Sequence, residues 1–284
     1  KEFAKYIWDL IKPAGRYSWG RAHAAAYGMI TYITAYLKAN YLAEFMCANL
    51  IMVDAKQHKT IIDDCRRNGV LVMRPDVNKS SNTFSVTDGK IYIGLSAIKG
   101  VGSAVVGGII SGRDSKGEFT SFADFYNRNK SVPSNVLTQI ILAGGLDWQE
   151  HTRQTLVENV SNFKGITKAR SLSEKIAKQR MDKAPAYQQA AYRRYLESKA
   201  SFISFDLPED LTQIAMFKEY PEYDLSKLLE IESEVIGLLD ADMLLSRFQP
   251  LADILGAVSM SQALASNNRS NVLIYCINGG IEVK

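Results

Sequence analysis

The segment Ile98-Lys-Gly-Val-Gly102 constrains this chain more than any other. Two glycines one residue apart are followed at once by Val105, Val106, Ile109 and Ile110 at helical spacing. This pattern predicts a tight turn opening into an apolar-faced helix. Glycine lets the backbone come close to a phosphate, and the helix start aims unpaired N–H groups and the positive end of its dipole at it. Contacts of this kind hold nucleic acid without reading its sequence. The alternative reading is a glycine-rich turn that only packs two helices together.

Upstream, residues 1–66 read as helices. Phe3, Tyr6, Ile7, Leu10 and Ile11 mark one apolar face, which Pro13-Ala-Gly15 is expected to end. From Ala22 to Leu37 sixteen residues carry no formal charge. A membrane-spanning helix needs about 20 apolar residues, and this run contains His23 and five Tyr or Thr. It therefore predicts a helix buried within protein. The Ala-rich run continues to about Leu50 as one helix or a broken pair, and Lys56 to Arg67 makes another. The character changes at Asn68-Gly69, and Val70 to Met73 alternates. Thr83-Phe-Ser-Val86, Thr87-Asp-Gly-Lys90 and Ile91-Tyr-Ile93 then read as a β-hairpin, whose Asp88-Gly89 pair suits a turn with both central φ angles positive. Ser121 with Asp124 has the spacing of a capping box opening a helix over Phe122–Arg128.

Charge is uneven along the chain. The net +4 is too small by itself to demonstrate a polyanionic partner, yet Lys164 to Lys199 holds ten Lys or Arg against three acidic residues. With few apolar residues beyond scattered Ala and Tyr, this stretch predicts a basic, mostly exposed helical arm. Such an arm could follow duplex phosphates through counterion release, or simply be a solvated face. Phe202 to Tyr223 is punctuated by Pro and Asp and reads as extended or loop-like. Leu225 to Leu239 reads as a helix, and Asn271 to Ile277 as a strand with no visible partner. Cys47, Cys65 and Cys276 lie far apart with no metal-ligand spacing, which argues against a disulfide framework or a zinc site and fits a reducing cytoplasm. The chain begins at Lys1 rather than Met and reads as an internal piece of a longer polypeptide.

Several ordered segments resemble the C-family of replicative DNA polymerase alpha subunits. Tyr17-Ser-Trp-Gly-Arg-Ala-His-Ala-Ala-Ala-Tyr27, Tyr32-Ile-Thr-Ala-Tyr-Leu-Lys-Ala-Asn-Tyr41 and Ala43-Glu-Phe-Met46 are similar to its fingers. Asp63-Asp-Cys-Arg-Arg-Asn-Gly69, Pro75-Asp-Val-Asn78, Gly94 to Gly102, Phe119 to Phe125 and Leu142-Ala-Gly-Gly-Leu-Asp147 follow in family order. The likeness is strong over residues 1–160 and faint from 213 onward. Trp19-Gly-Arg-Ala22 stands where the family has Phe-Asn-Lys-Ser. Ile33, Asn40 and Leu42 replace its Gln, His and Pro, and its Gly-His-Pro near Gly237 is missing, as in a diverged copy.

The resemblance implies a mainly α fold with small β elements. Residues 1–82 would be a helical fingers segment and 83–160 the β-hairpin with a tandem helix-hairpin-helix module. Residues 161–224 would be a basic linker with a clamp-binding motif, and 225–284 a helical connector and the start of an OB-like β domain. It places Arg21, His23, Tyr27 and Lys38 near incoming nucleotide and template, and Lys99, Gly100, Val101 and Gly102 on DNA. A second, degenerate hairpin would span Ser131 to Gly145, with Lys130 and Asn135 near its turn. Gln213, Met216 and Phe217 match the family's Gln-x-x-(Leu/Met)-Phe sliding-clamp motif. They sit in a segment expected to be accessible, flexible and without local core to join.

The implied parent activity is template-directed DNA synthesis using deoxynucleoside triphosphates and Mg²⁺ on primer–template DNA, alongside the sliding clamp and other replisome subunits, with no membrane. The metal carboxylates of this family lie in a palm upstream of the fingers. Asp63-Asp64 and Asp240-Ala-Asp242 are not placed to replace them, so this stretch alone is expected to be inactive and to hold no metal. Two rival readings are an error-prone, lesion-bypass C-family polymerase and a non-enzymatic helix-hairpin-helix DNA-binding module.

Overall fold

The computed structural model of the chain describes residues 1–15, 20–198, 200–237, 258–259 and 274–275. The fold is mainly helical with small β elements, as the sequence periods predict. Helix α1 spans Glu2–Gly15 and α2 spans Arg21–Asn40. Helix α1 ends within the Pro13-Ala-Gly15 stretch, at Gly15, with Pro13 inside its last turn. A correction concerns α2, which contains no buried residue. Tyr27, Met29, Ile30 and Tyr32 are 57–71% exposed, so the uncharged run is a solvent-facing helix in this chain. Its C-terminal end meets the rest of the protein, where Lys38 Nζ lies 3.0 Å from Asp64 Oδ2.

Tyr41 breaks the Ala-rich run into a pair, and α3 follows over Leu42–Met52. Helix α4 covers Ala55–Arg67. These two helices pack on a three-stranded sheet of β1 (Val72–Met73), β2 (Ser85–Thr87) and β3 (Lys90–Tyr92) in the order β1-β3-β2. Strands β2 and β3 form the expected antiparallel hairpin, pairing Val86 with Ile91, and β1 adds to β3 in parallel. The Asp88 and Gly89 φ angles are +52° and +70°, as the turn chemistry requires. Met46, Cys47, Leu50, Ile62, Cys65 and Ile91 fill the core between helices and sheet. Burial raises both thiol pKa values there, that of Cys65 to about 11, which keeps them protonated and inert.

The largest core lies downstream. A 3₁₀ turn over Leu95–Ala97 leads to α5 (Ser103–Lys116), then α6 (Phe122–Arg128), α7 (Ser134–Leu142) and α8 (Arg153–Thr167). Ser121 caps α6 as its sequence position predicts, its Oγ accepting from the Asp124 N–H at 3.0 Å. Phe119, Phe122, Phe125, Tyr126 and Phe163 pack together in this core. Leu207, Leu211 and Ile214 join it from the following segment, as do Ile231 and Val235 of α11 (Leu225–Ile236).

The basic stretch is not a bare exposed arm. Helices α9 (Glu174–Met181) and α10 (Ala186–Ser198) form a hairpin around their own small core of Ala177, Ala191, Tyr192, Tyr195, Ile203 and Phe205. The scattered Ala and Tyr fall on the facing sides, and a short antiparallel bridge between Arg170 and Ile203 closes the base. The C-terminal strand also has a partner: β5 (Ile274–Tyr275) pairs in parallel with β4 (Val258–Ser259). The rest of the expected OB-like region and Asp240-Ala-Asp242 lie outside the described residues. No described helix is long and apolar enough to cross a membrane.

Candidate nucleic-acid interface

The glycine turn is built on three apolar anchors. Leu95, Ile98 and Val101 are buried in the main core, which pushes Lys99, Gly100 and Gly102 to the surface. Gly100 has φ +82°, a left-handed conformation that a side chain rarely adopts. Gly102 occupies the N-cap of α5 in extended geometry and offers no capping side chain. The N–H groups of Gly100, Gly102, Ser103 and Ala104 have no acceptor among the described residues. The first turn of α5 carries no acidic residue to compete for its positive end. An exposed Lys99 thus lies beside four open N–H groups, an arrangement whose chemistry suits an anion. Val101 contributes as an anchor, its N–H bonded to Ile98 O at 3.1 Å, and the Lys99 N–H is taken by Val235 O at 2.8 Å.

The second hairpin, α6–turn–α7, has different chemistry at its turn. Lys130 Nζ donates to Phe205 O at 2.9 Å and pairs with Asp206 at 2.5 Å. The Lys130 and Val132 carbonyls both accept from Lys164 Nζ. Asn135 remains exposed in the first turn of α7, but the lysine beside it is already spent internally.

Sequence reasoning missed the most buried charge cluster. Arg153, 3% exposed, donates to both Asp147 oxygens at 2.7 and 2.6 Å, to Glu232 Oε1 at 2.8 Å and to Leu142 O at 2.8 Å. Arg74 adds a 3.0 Å contact to Glu232 and a 3.6 Å contact to Asp147. Burial opposes the Arg153 charge, but Asp147 and Glu232 outweigh it and hold the guanidinium pKa above its ordinary value. Gly144, at φ +81°, leaves room for this arginine, since a Cβ there would sit 2.4 Å from its Nη2. The four charges come from positions 74, 147, 153 and 232, and no local spacing signals them.

The fingers candidates do not form one cluster. Arg21, His23 and Tyr27 share the first two turns of α2, with the His23 and Tyr27 rings 4.4 Å apart. Lys38 lies about 25 Å along the helix axis from Arg21 and about 16 Å from Tyr27, at 1.5 Å per residue. There it is paired with Asp64, whose carboxyl pKa is lowered chiefly by that hydrogen bond. Among the described residues no three His, Cys, Asp or Glu side chains converge to hold a metal.

The candidate clamp strip is half engaged. Gln213 and Met216 are exposed, Met216 by 70%. Phe217 is a correction to the expectation that it lacks local core, because its ring stacks on Phe163 at 6.4 Å and meets His151 at 5.4 Å. The backbone turns rather than extends here, with a 3₁₀ helix over Leu211–Gln213 and a turn closed by the Phe217 N–H onto Ile214 O at 2.8 Å, and the residues after it are pinned. Asn159 Nδ2 donates to Lys218 O at 2.8 Å, and the Tyr220 N–H donates to Thr155 Oγ1 at 2.9 Å.

Comparison with known proteins agrees with this layout. Residues 69–156 match the helix-hairpin-helix motif family, which takes in the glycine turn, both hairpins and the start of α8. Over its whole length the chain is 31% identical to the DNA polymerase III subunit alpha of Borreliella burgdorferi, covering 23% of that protein. It is 41% identical to that of Saccharopolyspora erythraea over 54% of the chain and 13% of the relative. Against that of Vibrio cholerae the identity is 32% over 84% of the chain and 19% of the relative. The chain thus spans less than a quarter of the length of these relatives.

Proposed function

We propose that this chain, similar along its whole length to alpha subunits of DNA polymerase III, is the part of a replicative polymerase that holds primer–template DNA. The observation that carries the reading is the uncapped N-terminus of α5, with four open N–H groups beside exposed Lys99 inside the matched helix-hairpin-helix region. In this reading the hairpin grips duplex phosphates, while Arg21, His23, Tyr27 and Lys38 face nucleotide and template. The two Mg²⁺ ions of phosphoryl transfer are held by parent residues other than those described here. Purified chain should bind duplex DNA with micromolar or weaker affinity, without sequence preference and with steep weakening by salt. Tight binding that depends on sequence would overturn the phosphate reading. With primed template and Mg²⁺ it should incorporate no nucleotide.

Gln213 and Met216 provide the exposed part of a sliding-clamp contact, and the pinned backbone lowers the ordering cost of binding. Changing both to Ala should abolish clamp binding measured by titration against the clamp of the same host. Equal binding by both proteins would refute the contact.

A further inference from the structure

The duplex reading leaves the most cationic part of the molecule unused. Residues 164–199 carry ten Lys or Arg and three acidic residues, a net +7 within a chain of net +4, which leaves the remainder at −3. Lys168, Lys175, Lys178, Arg180, Lys183 and Arg193 are exposed, and none is ion-paired among the described residues. Charge concentrated in this way on one helical hairpin favours a polyanion.

Between α8 and the start of α10 lies a cavity of about 420 Å³, with Arg170 as the charged residue of its lining. Asn162, Arg170, Tyr187, Gln188, Tyr192 and Met216 line it. Tyr192 is buried against Phe205 at 5.2 Å between ring centres and acts as a fixed wall. The half-buried Tyr187 ring meets no other aromatic ring among the described residues, so a face remains for a ligand. The bridge to Ile203 fixes the Arg170 backbone, and its guanidinium makes one hydrogen bond, to Gly165 O at 2.6 Å. The rest of that donor fork is open. The Gln188 and Asn162 amides complete a rim that can both donate and accept.

We propose that this cavity takes an unpaired nucleotide of single-stranded DNA. Its base would lie against Tyr187 and Met216, its polar edge would meet Asn162 and Gln188, and its phosphate would meet Arg170. An aromatic face within a cationic surface is the arrangement that holds single strands, because every base has a π-face and every nucleotide a charge. A duplex keeps its bases stacked inside and presents none to the pocket. An acidic peptide would satisfy the lysines but make no use of the tyrosine.

The proposal shares no residue with the glycine hairpin, so the two can fail separately. The test is fluorescence anisotropy of the whole chain with labelled oligothymidylate, across a salt series, beside a blunt duplex. Tyr187→Leu should weaken oligothymidylate binding roughly fivefold or more while leaving duplex affinity unchanged. Tyr187→Phe should bind as the parent does. Arg170→Gln should flatten the single-strand salt dependence by about 0.7 of a unit of slope. A Gly100→Val/Gly102→Val chain should keep its oligothymidylate affinity. Equal single-strand binding by the parent and Tyr187→Leu would overturn the proposal. So would an equal loss on duplex, or displacement of oligothymidylate by polyglutamate at matched charge.

Discussion

The two hairpins inside the matched helix-hairpin-helix region share a core and differ in where their polar groups point. At the first, Leu95, Ile98 and Val101 anchor the turn from inside and leave Lys99 and the N–H groups of Gly100, Gly102, Ser103 and Ala104 facing solvent. At the second, Lys130 and Lys164 turn inward onto carbonyls, and Arg153 behind it is locked to Asp147 and Glu232. Open donors suit a phosphate that arrives from outside, whereas satisfied donors suit a brace. Helix α11 braces both, since the Val235 carbonyl accepts from Lys99 of the first turn and Glu232 accepts from Arg153 of α8, which follows the second hairpin.

The largest expected effect falls on the braced hairpin. Arg153→Met leaves Asp147 and Glu232 with Arg74 as their remaining cation among the described residues, and removing one partner of a buried ion pair costs about 3–5 kcal/mol. Urea unfolding should show that loss, while duplex affinity of the folded fraction should stay near the parent value. A loss below about 1 kcal/mol would place the cluster with ordinary surface pairs and erase the contrast.

Next comes the open hairpin, with the opposite signature. Gly100→Val/Gly102→Val places a side chain at φ +82°, which costs about 1–2 kcal/mol of stability, and pushes the backbone off the phosphate. A hydrogen bond to a charged group contributes about 1.5–3 kcal/mol, so duplex affinity should fall at least about tenfold. Unchanged affinity and salt slope in a folded double variant would make the first hairpin a second brace.

What the sequence made legible is what short spacing controls. The Asp88-Gly89 turn, the Ser121 cap and the glycine entry to α5 depend on neighbours within a few residues, and each stands where its pattern puts it. The misreadings all concern long range. The uncharged run of α2 marks a helix suited to burial, but whether it is buried depends on which element packs on it, and that is not written in the run. The Ala and Tyr of residues 177–195 looked too sparse for a core until two helices faced each other and met Ile203 and Phe205. Phe217 found its partners at positions 151 and 163, and the Arg153 cluster spans residues 74 to 232. Periodicity carries no information about such meetings.

The smallest expected effect separates the two lysines, one at each turn. Lys99 is exposed with no ion pair among the described residues, so its charge is available to release a counterion from DNA. Lys130 is neutralised by Asp206 and bonded to Phe205 O, so a phosphate would have to break both contacts to reach it. Lys99→Gln should therefore lower the slope of log affinity against log salt by about 1 and leave stability almost unchanged. Lys130→Met should leave the slope unchanged and cost at most about 1 kcal/mol, because Asp206 is half exposed and such pairs contribute little. Measuring both slopes on the same duplex removes differences in protein preparation from the comparison. A drop of similar size for both lysines would mean that the second turn opens onto DNA as well, with the Lys130–Asp206 pair yielding to phosphate.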